Sequence, residues 1–156
     1  MYAACAVVFL GFGGLAMLPE SNIQAGSRLR FCLSFAGGFL LYAVIWSVAW
    51  FSLPNTFGEV IGSFFGLLAF TAVLRTTLKF PQPLMTATAV IFLWHTLGYY
   101  TGGFAYMSLQ NKGPLGIMLN AEPSTVRLVA RLSWGLFYGL GLGTGISRLL
   151  HLSRQS

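Results

Sequence analysis

The shortage of acidic residues constrains the fold of this chain more than any other feature of its sequence. The 156 residues contain no aspartate, and the acids are Glu20, Glu59 and Glu122. Charged residues make up 8% of the chain and hydrophobic residues 56%, whereas soluble domains contain roughly 25% charged residues. So few charges could not cover the surface of a soluble domain of this size. The sequence therefore predicts an integral membrane protein.

The apolar residues form five segments, each close to the length that crosses a bilayer. A transmembrane helix needs about 20 consecutive, mostly apolar residues. We predict one membrane domain over residues 1–156, an all-α bundle of about five transmembrane helices joined by short loops. The predicted spans are residues 1–18, 31–53, 58–74, 84–106 and 124–150. The third is the shortest, and the number of spans would fall to four if that segment were only re-entrant.

The ends of these spans carry separate predictions. No basic residues precede the apolar core of the first span and no small-residue cleavage site follows it, so we predict a retained helix rather than a signal peptide. The connection 107–123 is half apolar and is expected to lie along the membrane surface. Ser124 or Glu122 is expected to cap the fifth span, and Glu59 to lie in the first turn of the third.

The distribution of lysine and arginine predicts the orientation in the membrane. With five spans, six of these residues lie on one side and three on the other, which favours an N-out, C-in arrangement. Because they are scattered between apolar segments, the net charge of +6 indicates contacts with lipid headgroups rather than nucleic acid. Arg127 and Arg131 are expected to anchor to lipid phosphates, or more narrowly to hold an anionic lipid, a quinone headgroup or a pigment propionate.

Glycines recur at four-residue spacing in three of the predicted spans. Small residues let membrane helices approach closely, so such stripes mark helix contacts. One interpretation is packing within the bundle, and the other is that a stripe faces a partner subunit or a flat ligand. The stripes are Gly58, Gly62 and Gly66 in the third span, Gly98 and Gly102 in the fourth, and Gly135, Gly139 and Gly143 in the fifth.

An imidazole lies near the centre of the fourth span. On a helix, His95 shares a face with Gly98, Tyr99 and Gly102. The glycines are expected to leave room for a planar ring, so these residues form a candidate site for a tetrapyrrole whose metal His95 ligates. A (bacterio)chlorophyll suits one axial ligand better than a haem does, since haem would need a second ligand and His151 lies at the membrane edge. The alternative is a histidine hydrogen-bonded to a neighbouring helix. No site for a free metal ion is predicted.

Few other groups could carry chemistry at membrane depth. Without further ionisable groups there, the chain has neither a proton relay nor a catalytic triad, and no repeat of the spans, typical of transporters, is evident. We expect a non-enzymatic accessory or assembly subunit of a larger membrane complex, such as a photosynthetic or respiratory one. It would lie in a cell inner membrane, an organelle membrane or a photosynthetic membrane, with bound lipids and other subunits in a homo- or hetero-oligomer. The alternative is a small oligomeric transporter or channel.

Overall fold

A computed structural model of the chain describes residues 12–21, 27–79, 82–110 and 122–153, and these residues are almost entirely helical. Four long helices follow one another, and we number them α1 to α4. They run Arg28–Ser52, Asn55–Leu78, Leu84–Gln110 and Pro123–Ser153. Residues 12–16 and Leu18–Ser21 are also helical. The described residues contain no strand, so the prediction of an all-helical fold is confirmed for them.

Two of these helices, α1 and residues Thr56–Leu78 of α2, are long and apolar enough to cross a membrane. They coincide with the predicted second and third spans. At the predicted fourth and fifth spans, α3 and α4 are long but do not reach the same apolarity, because histidine, tyrosine, glycine and arginine interrupt their apolar residues. A core helix of a soluble protein can match the length and composition of α1 or α2, so the bundle of five spans stays a prediction.

Two predicted segments fall largely outside the described residues. Residues 1–11 make up most of the predicted first span, and residues 111–121 make up most of the predicted surface segment. Where residues 107–110 of that segment are described, they continue α3 as helix. The helix therefore extends beyond the predicted end of the fourth span at residue 106.

The turn between α1 and α2 is only two residues long. The N–H of Leu53 donates to the carbonyl oxygen of Ala49 at 3.0 Å, and Pro54 then holds an extended conformation that leads into α2. A connection this short makes the two helices antiparallel neighbours. Because α2 begins at Asn55, the carboxyl group of Glu59 lies in the second turn, and its predicted place in the first turn is wrong.

Proline also sets the start of α4. Pro123 is the first helical residue, a position that suits its fixed φ and its missing N–H. The carbonyl oxygen of Glu122 accepts the N–H of Val126 at 3.0 Å. Of the two capping candidates, Glu122 therefore occupies the position before the helix, and Ser124 lies within its first turn.

The chain divides into two compact units, Met1–Phe92 with Ser147–Ser156, and Leu93–Ile146. In the first unit, the glycines of α2 lie against the backbone of α1. A Cβ placed at Gly58 would lie 2.8 Å from the carbonyl oxygen of Ala49, and one at Gly66 would lie 2.7 Å from the ring of Tyr42. Gly62, between them, faces Trp46 in the same way. This stripe is thus occupied within the chain.

A hydrogen bond joins the far ends of α1 and α2, where the hydroxyl groups of Ser34 and Thr77 lie 2.7 Å apart. We expect Ser34→Ala and Thr77→Val each to lower the free energy of unfolding by about 0.5–1.5 kcal/mol. The double variant is expected to cost little more than either single variant, as a double-mutant cycle in detergent micelles would measure. Thr76→Val is the matched control, because that hydroxyl donates to Val73 of its own helix. Additive losses in the double variant would contradict the coupling.

Candidate functional site

The second unit is built around a close crossing of α3 and α4. A Cβ placed at Gly98 would lie 2.6 Å from the carbonyl oxygen of Phe137 and 2.8 Å from the Cα of Gly141. One placed at Gly102 would lie 2.9 Å from the carbonyl oxygen of Trp134. Since later residues of α3 meet earlier residues of α4, the two helices are antiparallel. Glycine is required at this crossing because any side chain would push the two backbones apart.

His95 lies beside this crossing in a cluster of aromatic rings. Its side chain is buried, with 1% of its surface exposed. The imidazole is stacked on Tyr99 at a ring-centroid distance of 6.0 Å and meets Tyr138 edge to face at 5.4 Å. Tyr138 in turn stacks on Trp134 at 5.2 Å. We call His95, Tyr99, Trp134 and Tyr138 the aromatic cluster. Edge-to-face and offset ring pairs of this kind stabilise helix contacts.

The room predicted beside His95 is taken by α4. The sequence predicted that Gly98 and Gly102 would leave space for a planar ring, but both glycines are in contact with the backbone of α4. A tetrapyrrole at His95 would require the α3–α4 crossing to open. The pigment contact itself stays a prediction, and of the residues proposed for it, the structure brings His95 and Tyr99 together with the rings of α4.

A short internal repeat, absent from our sequence-based expectations, underlies the crossing. Residues 94–101 read WHTLGYYT and residues 137–144 read FYGLGLGT, which share the pattern aromatic-x-x-Leu-Gly-x-x-Thr at an offset of 43 residues. The equivalent positions form four pairs: Trp94 with Phe137, Leu97 with Leu140, Gly98 with Gly141, and Thr101 with Thr144. The pattern covers eight residues of each helix, whereas the expectation concerned repeats of whole spans, so that expectation stays a prediction.

The contacts of the two copies are also equivalent. A Cβ at Gly141 would lie 2.5 Å from the carbonyl oxygen of Trp94 and 2.7 Å from the Cα of Gly98. These are the counterparts of the atoms that Gly98 meets on α4. The helices α3 and α4 are antiparallel, and they cross at the glycine of the shared pattern. A local pseudo-two-fold axis therefore relates the two copies. Sequence reasoning missed Gly141, and comparing the two helices with each other would have found it.

An open groove of about 280 Å³ lies along the repeat. The four pairs of equivalent residues, and no other described residues, line it. The glycines of the crossing form its buried floor, while Leu97 and Leu140 are 57% and 59% exposed at its walls. His95 and Tyr99 do not line it. The groove and the aromatic cluster are thus separate features of the same helix pair.

The glycine stripe predicted on α4 is mostly uncovered. No heavy atom outside the local helix lies within 4 Å of a Cβ placed at Gly135 or Gly139, among the residues that the structure describes. Both residues are exposed, and Gly143 is half-buried. The stripes of α2 and α3 therefore face a helix of this chain, whereas Gly135 and Gly139 face open space.

Arg127 and Arg131 are exposed in the first turns of α4. Each precedes a ring of the aromatic cluster by seven residues, Arg127 before Trp134 and Arg131 before Tyr138. Residues seven apart share a helix face, so the guanidinium groups and the rings follow one another along α4. This order is typical of arginine side chains at a headgroup layer above an aromatic belt.

Across the described parts of the chain, no group of three or more His, Cys, Asp or Glu residues is arranged to hold a metal ion. Comparison with protein-family models, curated protein sequences and solved structures finds no match for this chain.

Proposed function

We propose that this protein is a non-catalytic accessory subunit of a larger membrane complex, and that α4 presents a docking face to a helix of a partner subunit. The observation that carries the proposal is that no described residue of another helix lies against Gly135 or Gly139. The other glycine stripes of this chain mark close helix crossings. A stripe of the same spacing that no described helix of this chain covers is a surface suited to one more crossing.

The physical basis is the way helices associate in lipid. Lipid tails are as apolar as leucine, so burial of apolar surface drives association little, and close backbone packing contributes more. Glycine is costly in a helix, by about 1 kcal/mol relative to alanine. Two exposed glycines one turn apart are better explained by a contact than by the stability of the isolated helix. Exposed Leu132 and Leu136 on the same side supply apolar contacts beside them.

This proposal includes the five-span, N-out, C-in arrangement and an energy-converting complex as the expected setting. Within it, we assign His95 to packing between α3 and α4 rather than to ligation of a pigment. Support comes from the burial of the imidazole among Tyr99 and Tyr138 and from the occupied faces of Gly98 and Gly102. Arg127 and Arg131 anchor the start of α4 to lipid phosphates.

The docking face is tested by replacing its glycines with side chains that prevent a partner helix from approaching closely. We expect Gly135→Leu with Gly139→Leu to reduce co-purification of partner subunits from native membranes by about tenfold, which corresponds to about 1.4 kcal/mol, since the added side chains prevent the close backbone approach on which such crossings depend. Thermal stability of the purified chain should not fall, because no described residue lies against either position and leucine favours a helix more than glycine does.

The control places the same side chain on an open glycine elsewhere. Gly37 on α1 and Gly103 on α3 also have no heavy atom within 4 Å of an added Cβ. Gly37→Leu and Gly103→Leu should leave the partners bound. If the control variants and the α4 variants lose partners equally, or if none of them does, α4 is not the docking face.

The internal repeat favours a second candidate, a small oligomeric transporter or channel. Many transporters contain inverted repeats whose substrate sites lie near the membrane midplane, and the groove lies on the local pseudo-two-fold axis near the middle of α3. This candidate predicts solute flux into liposomes that contain the purified protein alone. Vesicles that stay sealed to ions and small neutral solutes would exclude it.

A further inference from the structure

We propose that one end of the hairpin formed by α1 and α2 binds the headgroups of anionic phospholipids. This inference rests on the membrane setting of the proposed function, but it does not involve the docking face of α4. Its basis is a cluster of four cationic side chains beside an exposed apolar face of α1. The four residues, which we call the basic end, are Arg28, Arg30, Arg75 and Lys79.

The register between α1 and α2 follows from two contacts. A Cβ placed at Gly38 would lie 3.4 Å from the side chain of Val73. The hydroxyl groups of Ser34 and Thr77 lie 2.7 Å apart. Four residues toward the start of α1 therefore correspond to four residues toward the end of α2. The start of α1 and the end of α2 lie together.

This register brings the four cations to one end of the hairpin. Arg30 lies four residues before Ser34 and is thus level with the end of α2, where Lys79 follows the last helical residue. The N–H of Lys79 donates to the carbonyl oxygen of Arg75 at 2.9 Å, one turn earlier. Arg28 is the first residue of α1. All four side chains are exposed, so they are accessible to an anionic partner.

The acidic residues of the chain are too few to neutralise the basic end. Glu59 lies in the second turn of α2, at the opposite end of the hairpin. The other acids are Glu20 and Glu122, and even together they would offset only two of the four positive charges. The basic end therefore keeps an excess of positive charge, which attracts a polyanion or an anionic surface.

An exposed apolar face of α1 selects a lipid surface among the possible anions. The face begins inside the basic end with Leu29, which is 71% exposed. It continues along one side of the helix, with Leu29, Leu33, Leu40, Val44, Val48 and Phe51 all exposed. A nucleic acid or an acidic protein could meet the charges but would leave this face in water. An anionic membrane contacts both the charges and the apolar side chains.

The length of α1 places the basic end at the surface of a bilayer. Both α1 and residues Thr56–Leu78 of α2 are long and apolar enough to cross a membrane. Trp50 lies twenty residues after Arg30, which is about 30 Å along a helix and equals the hydrocarbon thickness of a bilayer. Trp46 and Trp50 stack at 5.0 Å near the turn, and tryptophan is enriched where membrane meets water. The basic end then lies among the headgroups of the opposite surface.

Native mass spectrometry of the full chain in mild detergent tests the site. The protein is titrated with phosphatidylglycerol, which is anionic, and in parallel with zwitterionic phosphatidylcholine that has the same acyl chains. We expect phosphatidylglycerol to bind about tenfold more tightly, because basic residues favour anionic headgroups. Equal affinities would overturn the proposal. Excess inorganic phosphate should leave the lipid bound, and complete displacement would mean that the ligand is a free phosphate and not a lipid.

Two pairs of substitutions locate the preference. Arg30→Gln with Lys79→Gln should lower the affinity for phosphatidylglycerol by about tenfold, whereas Arg30→Lys with Lys79→Arg keeps the charges and should retain it. Arg127→Gln with Arg131→Gln is the matched control, since it removes the same charge from α4 and should leave the preference unchanged. Circular dichroism checks that each variant keeps its helices. Equal losses in the two glutamine variants would mean that net charge alone attracts the lipid, which would refute the site.

Two further measurements separate this inference from the proposed function. The variants of the basic end should still co-purify partner subunits, because the docking face of α4 is unchanged in them. Alkaline carbonate should leave the chain in native membranes. Release of the chain by carbonate would refute the membrane setting and this inference with it. Equal binding of both lipids by a chain that stays embedded would refute this inference alone.

Discussion

Gly98→Leu is expected to separate α3 from α4 and to lower the free energy of unfolding by about 3 kcal/mol or more, as overpacking against an immobile neighbour does. The reason is the chemical nature of the neighbours. The added Cβ would lie within 3 Å of backbone atoms of Phe137 and Gly141. Backbone in the middle of a helix cannot rotate aside as a side chain can, so the helices must move apart. Circular dichroism during denaturant titration in micelles measures the loss.

The repeat supplies a second variant, and the same helix supplies the control. Gly141→Leu should cost as much as Gly98→Leu, because the two glycines meet equivalent atoms across the pseudo-two-fold axis. Gly103→Leu adds the same side chain to open space on α3, and it should cost nothing and raise the free energy of unfolding by up to about 1 kcal/mol, because leucine favours a helix more than glycine does. A loss at Gly103 comparable to that at Gly98 would mean that adding a leucine side chain anywhere on α3, and not the close crossing, causes the loss.

Local sequence patterns predicted the helices well and their contacts less well. The apolar segments placed α1 to α4 within a few residues, and Pro54 and Pro123 mark helix starts. The misplacement of Glu59 by one turn came from taking the first apolar residues as the helix start. In the structure α2 begins earlier, at Asn55, directly after the proline. The start and end of a helix are set by residues such as proline that cannot continue it, and these boundaries cannot be read from the apolar residues alone.

The glycines show why contacts are harder to predict than elements. Four-residue spacing identified Gly135 and Gly139 on α4, yet α3 meets that helix at Gly141, which lies outside the spacing. Spacing along one helix says which residues share a face, but the crossing point depends on both helices. The pattern shared by residues 94–101 and 137–144 contained this information. It is short, and it becomes visible only when the two helices are compared with each other.

The surroundings of His95 were predicted only on its own helix. Tyr99 follows from the four-residue spacing, whereas Tyr138 comes from α4, 43 residues later. Glycines next to a histidine indicate room on an isolated helix. In the structure that room receives the backbone of the neighbouring helix, because small residues attract close packing as well as ligands. The same feature of the sequence thus supports two opposite interpretations, and the neighbour decides between them.

His95→Leu is expected to lower the free energy of unfolding by about 2 kcal/mol, because the variant loses ring contacts with Tyr99 and Tyr138, each worth about 0.5–1.5 kcal/mol. His95→Phe keeps an aromatic ring in the same place and should retain more than half of that energy. Denaturant titration of both variants in micelles measures the difference, and the absorption spectrum of gently purified protein is recorded beside it. A packing role predicts that Phe is better tolerated than Leu and that the visible spectrum is unchanged in both. A ligand role predicts that both variants lose a tetrapyrrole absorption band equally, since neither leucine nor phenylalanine can bind a metal. If His95→Phe lost such a band but kept its stability, His95 would be a ligand of a pigment and not a residue that packs α3 against α4.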